Sequence, residues 1–132
     1  MAKQKNKLCP CGSGQAYSDC CGRFIEGNEL PTTPEQLMRS RYTAYCLNND
    51  TYIIGSWHPS TRPGSLAEDN AASVKWIELK VLNAPVPAES ESRATVEFMA
   101  RCKVGGKAEK MHETSEFIRE DGRWYYLSGQ VG

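Results

Sequence analysis

The distribution of apolar and polar positions divides the chain near residue 30. Residues 1–23 hold almost no apolar side chain beyond Leu8 and Tyr17. Such a stretch has no core of its own, so something other than hydrophobic burial must fold it, or it stays disordered. From Pro34 onward the pattern becomes helical. Met38, Tyr42 and Tyr45 share one face, and Leu37, Ala44 and Cys46 widen it, which predicts a helix from Pro34 to Leu47. Thr33 suits the N-cap, Pro34 the first helical position, and Gln36 completes a capping-box pattern. Asn48, Asn49 and Asp50 end this helix. Tyr52, Ile53 and Ile54 suggest a short second one before Trp57-His58-Pro59, where Pro59 biases His58 toward extended backbone. Residues 61–65 read as loop, and residues 66–73 as a further helical turn or two.

After residue 73 the period changes from 3.6 to 2. Residues 74–82 are rich in β-formers. In residues 93–104, Ala94, Val96, Phe98, Ala100, Cys102 and Val104 alternate with Thr95, Glu97, Met99 and Arg101. Gly105-Gly106 is a hairpin signal, and residues 110–120 follow as the partner strand. Glu120-Asp121-Gly122 marks a second hairpin into a last strand at 123–129. Helices come first and a four-stranded antiparallel meander follows, which is the order of an α+β domain with its helices on one side of the sheet.

Composition adds bounds. The 132 residues are 39% hydrophobic and 24% charged with zero formal net charge, ordinary for one globular domain plus a small appendage. Zero net charge removes any whole-protein attraction to nucleic acid or membrane. No run of about 18 apolar residues is present, so no membrane insertion is expected. The positively charged start, MAKQKNKLCPC, has no apolar stretch behind it and does not read as a secretory signal, which makes the cytoplasm the expected compartment.

That compartment matters for CPCGSGQAYSDCC, residues 9–21, which hold four of the six cysteines. A disulfide knot, a redox pair, a metal clip and plain reduced thiols are the alternatives. Cytosolic thiols stay reduced, and no C-x-x-C stands before a helix in a βαβ context. Thiolates suit zinc in a closed tetrahedral site, with Cys9, Cys11, Cys20 and Cys21 as its ligands. Adjacent side chains in an extended strand diverge, so Cys20 and Cys21 must sit at a bend or helix end to converge on one ion.

These residues closely resemble the SEC-C motif, the zinc knuckle at the carboxyl end of the SecA translocation ATPase. There the last ligand pair is usually Cys-His; here it is Cys20-Cys21. Gly12, Ser13, Gly14 and Tyr17 fit the non-ligand positions. LMRSRYTAY, WHP, VEFMARC and RWYYLSG extend the resemblance to the YchJ family, which joins an amino-terminal SEC-C motif to an NTF2-like domain. The resemblance implies a cone of helices on a curved antiparallel sheet. It implies a SEC-C zinc-binding motif at 1–24, a linker at 25–33 and an NTF2-like domain at 34–132. One structural zinc ion is expected, with the linker separating two independently stabilised units. The family carries no established biochemical function.

Two functional readings follow. The first is a cytosolic zinc-binding adaptor that docks a protein or ribonucleoprotein through the knuckle. Residues 1–23 carry a net +3 from Lys3, Lys5, Lys7 and Arg23 against Asp19. A zinc–tetrathiolate centre adds −2, which offsets most of that charge and weakens the lysines as a docking tail. The second reading is a small-molecule-binding protein or an isomerase- or dehydratase-like enzyme using the cone interior, with His58, His112, Arg41 and Glu97 as candidates. His112 and Glu113 alternate on a strand and so face opposite ways. Arg41 on the first long helix is expected to reach Glu113 or Glu97, and Glu97 with Arg101 to join an ion-pair ladder. Cys46 and Cys102 read as core. The chain is expected to be a monomer or a homodimer.

Overall fold

A computed structural model describes residues 8–27, 29–63 and 74–131. Within them lie a 3-10 turn at Tyr17–Asp19, helices α1 (Gly22–Ile25), α2 (Pro34–Cys46) and α3 (Asp50–Gly55), and strands β1 (Val74–Asn83), β2 (Arg93–Val104), β3 (Lys107–Glu120) and β4 (Arg123–Val131). The strands pair antiparallel in the order β1-β2-β3-β4, the expected meander. The helical turn expected over 66–73, like Lys3, Lys5 and Lys7, lies outside the described residues.

Local chemistry accounts for the boundaries. Thr33, in extended backbone, accepts from the Gln36 amide at 3.1 Å, and Pro34 opens α2. Gln36 does not return to the Thr33 amide as a capping box would. It reaches one residue further back and accepts from the amide and hydroxyl of Thr32 at 2.8 and 3.1 Å. Asn48 ends α2 in the left-handed region (φ 58°), and Asn49 caps α3 by accepting from the Tyr52 amide. Gly105 and Gly106 both take positive φ, as do Asp121 and Gly122, so each two-residue turn has the twist that tight hairpins require.

The helices cover one face of the sheet. Leu37, Met38 and Tyr42 of α2 pack on Leu79, Val96, Phe98, Ala100, Phe117 and Trp124. Phe117 is completely buried, and truncating such a side chain costs about 3–5 kcal/mol. The alternation along β2 holds from Val96 to Cys102, but Val104 is exposed because it stands beside the hairpin turn, beyond the reach of α2. Bulges between Trp76 and Glu78, Val81 and Asn83, and Glu116 and Phe117 increase the local twist. Behind α3 the chain joins the edge of β4: the His58 amide donates to the Tyr126 carbonyl at 2.8 Å, and the Tyr126 amide to the Ser56 carbonyl at 2.9 Å. Arg119 clamps the β1–β2 loop by donating to the carbonyls of Ala88, Glu89 and Glu91 at 2.6–3.0 Å.

The cysteine segment is not held apart from this core. Cys9, Cys11, Cys20 and Cys21 belong to the same buried cluster as Leu37, Met38, Tyr42 and Leu79. Knuckle and domain therefore share one buried cluster. Thiols are themselves apolar surface, and they are covered by α2 and β1. No helix of the described residues is long and apolar enough to cross a membrane.

Candidate metal centre and interior cavity

The knuckle is built by short-range backbone bonds. Leu8 and Ala16 form an antiparallel bridge, and the Cys9 amide donates to the Gln15 carbonyl at 2.8 Å, closing a loop over Pro10–Gly14. Gly12 turns that loop at φ 82°, and a Cβ there would stand 3.3 Å from the Leu79 carbonyl of β1. Cys20 ends the 3-10 turn with an unusual backbone (φ −122°, ψ −113°), and Cys21 is the N-cap of α1. This is the bend that adjacent cysteines need if both are to face one point.

All four Sγ atoms lie within 4.8 Å of one another, and the four residues are 0–7% exposed. None is in a disulfide. Cys11 Sγ and Cys20 Sγ are 3.6 Å apart, close to the ~3.8 Å edge of a sulfur tetrahedron around an ion with bonds of about 2.3 Å. The group can hold a metal ion.

The electrostatics agree. Hydrogen bonding from Cys21, then from Cys9, pulls the Cys11 thiol well below its ordinary pKa against the opposing effect of burial. The bond with Cys11 pushes Cys21 far up. Four buried sulfurs gathered this closely form a site in which a cation can take the place of thiol protons.

Outer contacts hold the ligands in place. Ser13 Oγ lies 3.1 Å from Cys20 Sγ, and Thr43 Oγ1 of α2 lies 3.5 Å from Cys9 Sγ. Arg39 Nη1 donates to the Cys11 carbonyl at 2.8 Å while its Nε donates to Glu35 at 2.9 Å. Burial lowers the pKa of Arg39, but the bonds to Glu35 and Cys11 more than offset it, and the net shift is upward. Tyr17 donates to Glu26 at 2.8 Å across α1.

A second feature lies between α2 and the sheet. A cavity of about 230 Å³ is walled by Met38, Tyr42, Trp76, Phe98, Met111 and Phe117, with Arg41, Tyr45, Glu113, Ser115 and Tyr126 as its polar lining. Arg41 is 5% exposed. Its Nη1 donates to the Ile53 carbonyl and to Ser56 Oγ, each at 2.8 Å. Its guanidinium carbon lies 4.1 Å from the centre of the Tyr126 ring and 5.0 Å from that of Trp57. Burial lowers its pKa. Glu113 accepts from Ser115 Oγ at 2.9 Å.

Of the four candidate residues from the sequence, only Arg41 lines this cavity. It makes no ion pair with Glu113 or Glu97; α3 supplies its acceptors instead. His112 Nε2 meets Glu97 Oε2 at 2.6 Å on the opposite face of the sheet. His58 Nδ1 lies 2.8 Å from Ser60 Oγ and 3.1 Å from the Ser60 amide, and its Nε2 lies 3.0 Å from Glu120. Arg101 pairs with Glu78 at 3.1 Å rather than with Glu97. The residues missed beforehand are Tyr126 and Ser56, which hold Arg41. Tyr126 was accessible, since alternation from Trp124 puts it on the inner face. Ser56 carried no signal.

Comparison with known proteins matches both the cysteine segment and the helix–sheet domain. The family described as "YchJ, middle NTF2-like domain" matches residues 33–129, and the SEC-C motif matches residues 6–23. A UPF0225 protein of Chromobacterium violaceum is 53% identical over 131 residues, covering 98% of this chain and 96% of that one. One from Bordetella pertussis is 46% identical over 125 residues, covering 93% of this chain and 92% of that one. The solution structure of a SEC-C motif containing protein from Rhodopseudomonas palustris superposes with a TM-score of 0.82 at 40% identity, covering 94% of this chain and 98% of that one. The crystal structure of a SEC-C motif containing protein from Psychrobacter arcticus gives a TM-score of 0.79 at 28% identity, covering 98% of this chain and 85% of that one.

Proposed function

The chain belongs to the YchJ family, with a SEC-C motif and an NTF2-like domain, and from that premise we propose that it is a cytosolic zinc-binding adaptor. In this reading Cys9, Cys11, Cys20 and Cys21 hold one zinc ion as a structural staple. The carrying observation is the burial of all four sulfurs in one cluster. A catalytic zinc needs an open position; four thiolates enclosed by protein leave none. Bound there, the ion supplies folding energy and no chemistry of its own.

What supports docking is the contrast within the knuckle. The sulfurs face inward, while Gly12, Ser13, Gly14, Gln15 and Asp19 are exposed on a loop that the metal would rigidify. The partner is a protein or ribonucleoprotein. Protein purified without air should carry about one zinc per chain; none, with all four thiols open to alkylation, would end the metal reading. A variant with Gln15→Glu and Asp19→Lys should keep its zinc and lose a partner that the unaltered chain captures. Equal capture by both would end the adaptor reading alone.

A second reading, a small-molecule-binding interior, is favoured by the cavity and by the buried Arg41 that lines it.

A further inference from the structure

Arg41 is not explained by packing. A guanidinium is taken out of water at high cost unless an anion or a full set of acceptors replaces the solvent. Here a single nitrogen, Nη1, carries both hydrogen bonds. Among the described residues Nε and Nη2 have no acceptor, and no carboxylate stands within ion-pair distance of the group. These two nitrogens are not sealed off either, since neither is a fully occluded side-chain atom without a partner. The open space that Arg41 borders is the cavity.

The fixed end of the side chain makes this a built position. Ser56 and the Ile53 carbonyl anchor Nη1 on α3, and the rings of Tyr126 and Trp57 flank the guanidinium. That leaves one edge of the fork, the geometry that receives two oxygens of a carboxylate side by side. The rest of the wall is aromatic and thioether surface from Tyr42, Trp76, Phe98, Phe117, Met38 and Met111, which suits a flat apolar body. At about 230 Å³ the cavity is smaller than the roughly 300–1,000 Å³ of pockets for drug-sized ligands. A ligand of one ring with a short acidic group is the matching size. Glu113 and its Ser115 partner form another polar point of the wall, suited to a hydroxyl or amino substituent on the same ligand.

We infer that the cavity is a binding site for a small aromatic carboxylate, its acid group on the Nε–Nη2 edge of Arg41 and its ring among the apolar residues. The inference rests on the second reading above and is independent of the metal.

The zinc-loaded full chain can be labelled at its methionine methyl groups. Met38 and Met111 line the cavity, whereas Met99 lies on β2 with its neighbours on the opposite face, and so serves as an internal control. Benzoate and its neutral isostere benzamide are titrated separately. Benzoate should shift the Met38 and Met111 signals, leave Met99 in place, and bind about tenfold more tightly than benzamide, the discrimination expected of a charge-assisted pair. Arg41→Met should erase that preference. Should this variant not fold, the comparison on the unaltered chain still decides. Equal binding of the two probes, or no movement of Met38 and Met111 at millimolar benzoate, overturns the inference. Either outcome with zinc still bound leaves the metal reading intact.

Discussion

Arg39 of α2 donates to the main-chain carbonyl of Cys11 at 2.8 Å, tying the long helix to the middle of the cysteine loop. The carbonyl belongs to a residue whose sulfur is completely buried, so this single bond links helix position to ligand position. Arg39→Ala should cost about 1–2 kcal/mol, the value of a charge-assisted bond to a part-buried acceptor. It should also speed loss of bound metal to a chelator, by about tenfold if it behaves as other outer contacts of metal sites do. Arg39→Lys should recover little, because an ammonium cannot serve Glu35 and Cys11 with one planar fork. Urea titration and chelator-competition kinetics measure the two effects. Unchanged metal release in Arg39→Ala would show that the loop holds its shape unaided.

The shared core leads to a stronger expectation. With the four sulfurs packed against Leu37, Met38, Tyr42 and Leu79, metal removal should weaken the whole domain. Cys20→Ser, or a chelator, should lower the one thermal transition by on the order of 10 °C. Calorimetry with and without chelator tests this. A main transition unmoved by metal loss would restore the picture of two separate units.

That contrast shows what was legible beforehand. The strand alternation in β2 and the hairpin glycines were readable because period and turn chemistry are local. The four cysteines were readable because their chemistry leaves few uses for such crowding. The packing of the knuckle was not, since a count of apolar residues in 1–23 leaves out the thiols, which become apolar surface once gathered. Arg41 was misjudged for a related reason. A carboxylate partner was expected across the helix–sheet interface, but its acceptors come from Ile53 and Ser56, brought close by the tight turn between α2 and α3. Main-chain acceptors leave no mark in a sequence.

Gly129 of β4 passes against Glu113 so closely that a Cβ there would overlap the carboxylate and stand 2.8 Å from the Tyr126 hydroxyl. Gly129→Ala should therefore displace Glu113 and break its bond from Ser115, at a cost of about 1–3 kcal/mol. Burial raises the Tyr126 pKa to about 12, and the charge of Glu113 is the next contributor. Both Gly129→Ala and Glu113→Gln should lower it, which a titration of the tyrosine ring carbons would follow. A Tyr126 pKa unmoved in Glu113→Gln would mean that burial alone sets it.

Cys46 offers a pH test at a thiol outside the four-cysteine group, though packed against it. Burial pushes its thiol up to about 11, against an ordinary value of 9.0, with a hydrogen bond from Tyr42 opposing the shift. For an acid whose folded pKa is raised, the native state holds the proton that the unfolded chain releases. The associated stability is complete below pH 9.0 and is lost as the pH rises from there to about 11. Cys46→Ala should flatten that part of the stability profile. At pH 8 the raised pKa keeps Cys46 overwhelmingly protonated, so iodoacetamide should react far more slowly with it than with a free exposed cysteine. Mass spectrometry after timed alkylation reads this out, and rapid labelling of Cys46 in the folded chain would show that its side chain is not held against Tyr42.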